Sequence, residues 1–339
     1  MSEQGSPGGA DRSGMVERGV SRRRFLAGLG VVAGAGALAP LLARRGAARA
    51  ERLEASRAAL GTWMRVVVRG VERPRAERAI QRAFATVREV DAQMSVHRAD
   101  SQLNRVNAAA GRGAIHVDPA VVEVVSRACD NARRSAGVYD PTVLPLMRLY
   151  GFYGESRTAP PDAREVDRVL ACMGWEQVTV DAAAGTIALA RGGAGLDLGS
   201  IGKGWAVDRA VAALRAEGVR DGLVDIGGNV YGLGVPEDGA EGWSVGAFHP
   251  VSGELDRVFV LHDTAVATSG NSEQTRMLGS LRIGHLFDAR HGRPANGHLS
   301  ATVHAHSGVE ADGRSSTAFL VGPDRFKGYP GVIDCHFIG

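Results

Sequence analysis

The chain has 339 residues, 44% hydrophobic and 23% charged, which suits one large or two modest soluble globular domains. Its formal net charge of +3 comes from the first 50 residues, where eight Arg face three acids; the remainder nets 3 − 5 = −2, which argues against a basic nucleic-acid face. The three cysteines, Cys129, Cys172 and Cys335, are odd in number and lack zinc spacing.

Residues 1–50 read as a targeting segment. Arg22-Arg23-Arg24-Phe25-Leu26 follows Ser21 in a twin-arginine pattern, and a weakly hydrophobic Gly/Ala run continues to Ala43. Ala48-Arg49-Ala50 offers small residues for cleavage after Ala50, leaving a mature chain from Glu51. This predicts an exported protein, placed in the periplasm or otherwise outside the cytoplasm. In that compartment one disulfide would be permitted.

Residues 56–69 alternate as a strand, and Pro74 opens a helix reaching about Met94, with Ala76, Ile80, Phe84, Val87 and Val90 near helical spacing. A polar, turn-rich stretch follows over 95–111, in which Asp100 or Ser101 could cap a short helix and His97 lies in a loop. Asp118-Pro119 marks a helix start, with Gly137 as its stop. Cys129 then falls on that helix, as a core residue. Asp140, held extended before Pro141, suits a fixed carboxylate or a turn acceptor. A Pro/Gly/Ser-rich loop over 154–162 precedes a helix over 163–173 and a hairpin pairing 177–180 with 186–190.

The stretch 196–209, LDLGSIGKGWAVDR, is the most informative. It holds Lys203, one of two lysines among the 40 cations of the chain, set between Gly202 and Gly204. Where nearly every cation is Arg, a lysine supplies a compact point charge rather than a planar fork. A buried strand over 196–198, a Gly-rich turn and a helix over 203–217 are expected. Such a turn offers backbone N–H groups and a positive dipole end to an anion, phosphate first among them. An ordinary strand-to-helix turn would be built from the same residues. The P-loop pattern fails at Asp197 and Gly204, and no G-x-G-x-x-G follows a strand here.

Residues 223–230 read as a buried strand broken by Gly227-Gly228, a pair that marks a bulge or close approach to a ligand. Strands at about 243–248, 257–261 and 264–268 follow, and residues 310–318 open a last helix. Strands mixed with helices, rather than strictly alternating, predict an α+β fold.

Seven blocks then fall in one order: MSVHRADSQLNRVN (94–107), YDPTVLPLMRLYGF (139–152), LDLGSIGKGWAVDRA (196–210), VDIGGNVYGLG (224–234), AVATSGN (265–271), HLFDARHGRP (285–294) and EADGRSSTAFLVG (310–322). Over residues 56–325 the chain resembles the ApbE-type FAD:protein FMN transferases. The resemblance implies mixed or antiparallel sheets with flanking helices, a T-fold-related architecture filling residues 51–339. It also implies a Mg²⁺-dependent enzyme that takes FAD as substrate, moves FMN onto a Thr or Ser hydroxyl of a partner flavoprotein and releases AMP. The acceptor would carry a D-x-x-S/T-G-A-S/T-like motif, in a redox-complex subunit or a secreted flavodomain, with transient contact to a membrane complex.

By the same resemblance, Asp312, Ser316 and the Gly202 carbonyl would ligate the metal, and Lys203 would sit near the phosphates. Asp208 would be the flavin-site acid and His285 the acid or base beside the attacking hydroxyl. Leu60, His97, Val138, Tyr139, Asp140, Thr268, Ser269 and Gly270 would line the nucleotide cleft. Four positions depart from the family pattern. His97 replaces an aromatic and Leu60 a methionine. D-P-x-T-G is here Asp288-Ala289-Arg290-His291-Gly292. A-D-A-x-x-T is here Ala311-Asp312-Gly313-Arg314-Ser315-Ser316, with Thr317 as an alternative hydroxyl. Two other readings stay open: a Mg²⁺-dependent FAD pyrophosphatase giving FMN and AMP, and a flavin-binding protein that has lost catalysis.

Overall fold

The computed structural model describes residues 52–271 and 274–339. The targeting segment over 1–50 and the mature start at Glu51 lie outside the described residues. The framework is a seven-stranded sheet of order β1-β2-β6-β7-β10-β15-β16, antiparallel at every pairing. Its strands are β1 (Leu53–Ala59), β2 (Thr62–Arg69), β6 (Asp221–Ile226), β7 (Asn229–Leu233), β10 (Thr264–Gly270), β15 (Ser300–Ala305) and β16 (Val332–Ile338).

The expected single strand over 56–69 is a hairpin. Leu60 and Gly61, at φ of 51° and 73°, make a two-residue turn whose left-handed geometry matches strand twist. Gly227-Gly228 is likewise a hairpin turn, at φ of 58° and 85°, joining β6 to β7. The glycines there meet a backbone requirement, and the Asp225 carboxylate accepts the Gly228 N–H at 2.9 Å. The ligand approach read into that pair therefore gives way to a turn.

Alternation along β2 explains the layering. Met64, Val66 and Val68 point to one face, into the main core with helices α1 (Arg73–Met94), α6 (Gly202–Ala216) and α7 (Gly308–Val321). Val67 points to the other face, where Leu223, Val230 and Val266 meet Trp243, Phe259 and Leu261 of the hairpin β8 (Trp243–Phe248) and β9 (Leu255–Leu261). The helical elements α2 (Gln102–Ala108) and α3 (Pro119–Arg134) complete the main core beside a small sheet of β3 (Ile115–His116), β5 (Thr186–Leu189) and β4 (Val178–Asp181). Ser101 is the cap of α2, accepting the Asn104 N–H at 3.0 Å. Asp118 precedes α3 without capping it, because Gln93 and Gln102 take its carboxylate.

A third cluster gathers around α4 (Leu144–Leu149), α5 (Ala163–Leu170), the hairpin β11 (Thr275–Leu278) and β12 (Leu281–Gly284), and the short pair β13 (Phe287–Asp288) and β14 (Arg293–Pro294). The α5 helix stops three residues before the expected 173, and Asp162 with Glu165 forms a capping box at its start. Residues 196–198 are buried but form no strand. Their main chain is held by side chain and loop instead: the Leu196 N–H donates to Asn107 Oδ1 at 2.7 Å and the Asp197 N–H to the Pro141 carbonyl at 2.8 Å. All three cysteines carry free thiols, and burial pushes the Cys129 thiol up to about 12.

Candidate active site

The site grows from the crossing of α6 and α7. A Cβ on Gly204 would lie 2.1 Å from the Gly308 carbonyl oxygen, so the two helix starts touch backbone to backbone. Across this contact the Gly204 N–H donates to Asp312 Oδ2 at 2.8 Å. Asp312 sits on the first turns of α7, 3% exposed, and burial raises its carboxyl pKa against the opposing pull of Lys203. Lys203 Nζ lies 3.8 Å from Asp312 Oδ1 and donates to the Gly199 carbonyl at 3.1 Å. About a third of the Lys203 side chain remains exposed, so the ammonium reaches the cleft.

A second buried carboxylate flanks the same lysine. Asp197, 5% exposed, accepts the Gly199 N–H at 2.8 Å and the Tyr153 hydroxyl at 3.0 Å. Burial raises its pKa, while hydrogen bonds and the nearby His97 and Lys203 oppose the rise. His97 meets the Tyr153 ring edge to face, with centroids 5.0 Å apart. Asp197 and Tyr153 were not among the residues anticipated. The sequence signal for Asp197 was available: an acid set between Leu196 and Leu198 in a buried run needs partners.

Tyr139 joins from the loop after α3. Its hydroxyl accepts from Ser200 Oγ at 3.0 Å, and burial, with Asp312 and Asp197 nearby, drives its pKa upward, so the phenol stays neutral. His285 lies on the strand-free residue after β12. Burial first and the Lys203 ammonium second push its imidazole down to about 4. Its Nδ1 is buried without a hydrogen-bond partner among the described residues. Lys203, Asp312, Tyr139, His97 and His285, with Asp197, are thus brought to one place from five separate stretches of the chain.

On α7, Ser316 stands one turn beyond Asp312 on the same face. Ser269 of β10 meets it, with hydroxyls 3.0 Å apart, and meets Ser315 at 2.8 Å. Thr317 turns into the core, its hydroxyl donating to the Gly313 carbonyl at 2.9 Å. Ser316, rather than Thr317, therefore shares the face of Asp312.

Six anticipated positions take framework roles. Both Asp208 oxygens cap α7, accepting the Gly308 N–H at 2.6 Å and the Val309 N–H at 2.9 Å, so the expected flavin-site acid is spent on a helix start. Burial still raises that carboxyl to about 6. Asp140 accepts from the Thr142 N–H and hydroxyl at 2.7 and 2.6 Å and from the Trp175 N–H at 2.9 Å, which makes it a turn acceptor. The Val138 side chain is buried, and its carbonyl accepts the Ala289 N–H at 3.1 Å. Thr268 pairs with Thr302 across the strands at 2.8 Å and, alternating with Ser269, points away from α7. Leu60 sits in the β1–β2 turn against the main core, and Gly270 closes β10 against the Leu299 carbonyl.

In the departed block, Arg290 grips Asp288 with a bidentate fork at 3.0 and 2.8 Å, and His291 Nδ1 lies 3.3 Å from the same carboxylate. Burial pushes the Asp288 carboxyl up, but these bonds outweigh it and hold the group below its ordinary range.

The ApbE family model matches residues 60–330. The chain is 30% identical over 314 residues to the FAD:protein FMN transferase of Treponema pallidum, covering 86% of each. It is 31% identical over 241 residues to the Vibrio cholerae protein of the same name, covering 70% of this chain and 71% of that one. Among solved structures it is similar to the ApbE protein from Thermotoga maritima, with a TM-score of 0.78 and 26% identity over 85% of this chain and 94% of that one. The flavin transferase ApbE from Vibrio cholerae gives a TM-score of 0.74 at 26% identity, over 86% and 98%.

Proposed function

This chain belongs to the ApbE family, and from that premise we propose that it is a Mg²⁺-dependent FAD:protein FMN transferase. FMN passes from FAD to a Thr or Ser hydroxyl of a partner flavoprotein, and AMP leaves. The observation that carries this reading is the convergence of a lysine, a buried carboxylate and a neutral histidine at one crossing of α6 and α7.

The residues fit a hard cation. Asp312 gives a buried carboxylate, Ser316 a hydroxyl one helical turn on, and Gly202 a carbonyl beside Lys203; all are oxygen donors of the kind Mg²⁺ takes. When bound, the ion would neutralise charge on the pyrophosphate. Lys203 presents its ammonium to the same phosphate oxygens. Burial first, and Lys203 second, keep His285 unprotonated, which leaves the imidazole free to take the proton of the acceptor hydroxyl. The hydroxyl oxygen bonds to the FMN phosphorus as the bond from that phosphorus to the AMP oxygen breaks. The loss of an aromatic at His97 leaves a smaller ring, packed on Tyr153, beside the cleft.

The twin-arginine pattern supports a reaction outside the cytoplasm, and the acceptors would be redox-complex subunits or secreted flavodomains. N-terminal sequencing of the exported protein tests the processing: a start at Glu51 agrees, and a retained leader does not.

The decisive assay combines the chain from Glu51, FAD, Mg²⁺ and an acceptor domain with the D-x-x-S/T-G-A-S/T motif. Intact mass of the acceptor is read alongside the nucleotide products. A gain of one FMN, lost with EDTA and with Asp312→Ala, is expected. Free FMN and AMP with an unmodified acceptor would instead make the protein a pyrophosphatase, and intact bound FAD a flavin carrier.

A further inference from the structure

A bowl of about 460 Å³ lies between residues 291–298 and the last turns of α7. Asp312, Ser316 and Leu320 lie on successive turns of one helix face, so the Leu320 floor is roughly 12 Å along the axis from Asp312 at 1.5 Å per residue. On the opposite wall, the Ala295 N–H donates to the carbonyl of Leu286 at 2.8 Å, and Leu286 directly follows His285. Two stretches of main chain, α7 and the 285–295 segment, therefore run from the site to the bowl, which lies at the end of α7 away from Lys203.

Its chemistry is that of a receptor for an acidic chain. Arg293, His291 and His298 line it, with Asn296 between them and Phe319 and Leu320 beneath. Arg293 is exposed; its main chain pairs with Asp288 in the β13–β14 ladder, and its side chain makes no ion pair or hydrogen bond among the described residues. The one carboxylate in the lining, Asp288, is already gripped by Arg290. The bowl thus joins unspent positive charge to an apolar floor, at a distance spanned by about four extended residues.

We propose that this bowl docks the acceptor polypeptide, taking an acidic side chain of the segment that presents the hydroxyl to His285. The proposal rests on the transferase reading for the identity of the occupant. An Arg donates a fork that a carboxylate matches, and the adjoining apolar floor would hold an aliphatic neighbour of that acid. The departure from D-P-x-T-G contributes here: Arg290 neutralises Asp288, which would otherwise repel the incoming acid.

The test measures binding separately from turnover. A fluorescein-labelled synthetic peptide carrying D-x-x-S-G-A-T is titrated with the chain from Glu51 by anisotropy, with the intact mass of the peptide followed in parallel after FAD and Mg²⁺ are added. Arg293→Glu is expected to weaken peptide binding by about tenfold or more, the size of one charge-assisted contact reversed. A peptide with Lys in place of its Asp should recover binding to Arg293→Glu and lose it to the unaltered protein. Arg78→Glu, an exposed change on α1, serves as the charge control and should bind as the unaltered protein does. Unchanged binding by Arg293→Glu, equal loss in Arg78→Glu, or no binding at all would overturn the docking site. Binding that follows the charge swap without any mass gain would leave the bowl in place and remove the transferase reading.

Discussion

Lys203 is placed where one positive charge serves three neighbours. It lies 3.8 Å from Asp312, acts on Asp197 and lowers the pKa of His285. Replacing it with Met should lower transfer by about 10²- to 10³-fold, the loss seen when one preorganised electrostatic group is removed. The same variant should move the His285 titration upward from about 4, read by NMR of the imidazole in the metal-free protein. An unmoved titration would mean that burial alone sets it. The pH sign follows. A histidine whose folded pKa lies at about 4 against an ordinary 6.5 contributes stability that is full above pH 6.5 and is lost as pH falls towards 4. Denaturant midpoints should therefore drop across that window, and His285→Gln should flatten the drop.

At the scale of elements, the crossing of α6 and α7 depends on two glycines and a cap. Gly204→Ala would place a methyl 2.1 Å from the Gly308 carbonyl oxygen and 2.6 Å from Asp312 Cβ, which the helices can relieve only by separating. A cost near 3 kcal/mol, the upper end of overpacking, is expected in urea unfolding, together with loss of activity because Asp312 moves. Asp208→Ala should cost about 1 to 2 kcal/mol by exposing the Gly308 and Val309 N–H groups, with FAD still bound. If FAD affinity collapses while stability holds, Asp208 touches the flavin after all. This division also shows what was legible in sequence. Helix α1 and the hairpin of β4 and β5 follow from local periodicity and turn chemistry, whereas the cap of α2 stood open between Asp100 and Ser101 until the Asn104 N–H chose Ser101. Asp208 was not legible as a cap, because the helix it caps begins 100 residues later. Asp140 offered two readings in sequence; the Thr142 bonds make it a turn acceptor, and its second oxygen is taken by the Trp175 N–H, 35 residues away.

At the scale of the molecule, the site is a property of the whole sheet and its helices rather than of any segment. Ser269 comes from β10, Asp312 and Ser316 from α7, Lys203 from α6, and His285 from the segment after β12. The order of blocks along the chain announced the residues, but their distances arise only when β10 and α7 pack on one face. Thr268 and Ser269 illustrate the difference: adjacent in sequence, they lie on opposite faces because strand side chains alternate. A ligand that bridges such separated elements must stabilise the fold as a unit. At a concentration of 100 Kd, one bound ligand adds about 2.7 kcal/mol. FAD with Mg²⁺ should therefore raise the melting temperature by several degrees, and EDTA should withdraw the metal-dependent share. Asp312→Asn keeps the shape of the side chain and an acceptor for the Gly204 N–H but removes the charge a cation needs. In that variant Mg²⁺ alone should give no shift, whereas FAD alone should still give one through Lys203. A Mg²⁺ shift that survives Asp312→Asn would move the cation to other oxygens. Loss of both shifts would mean that the nucleotide and the metal occupy the cleft only together.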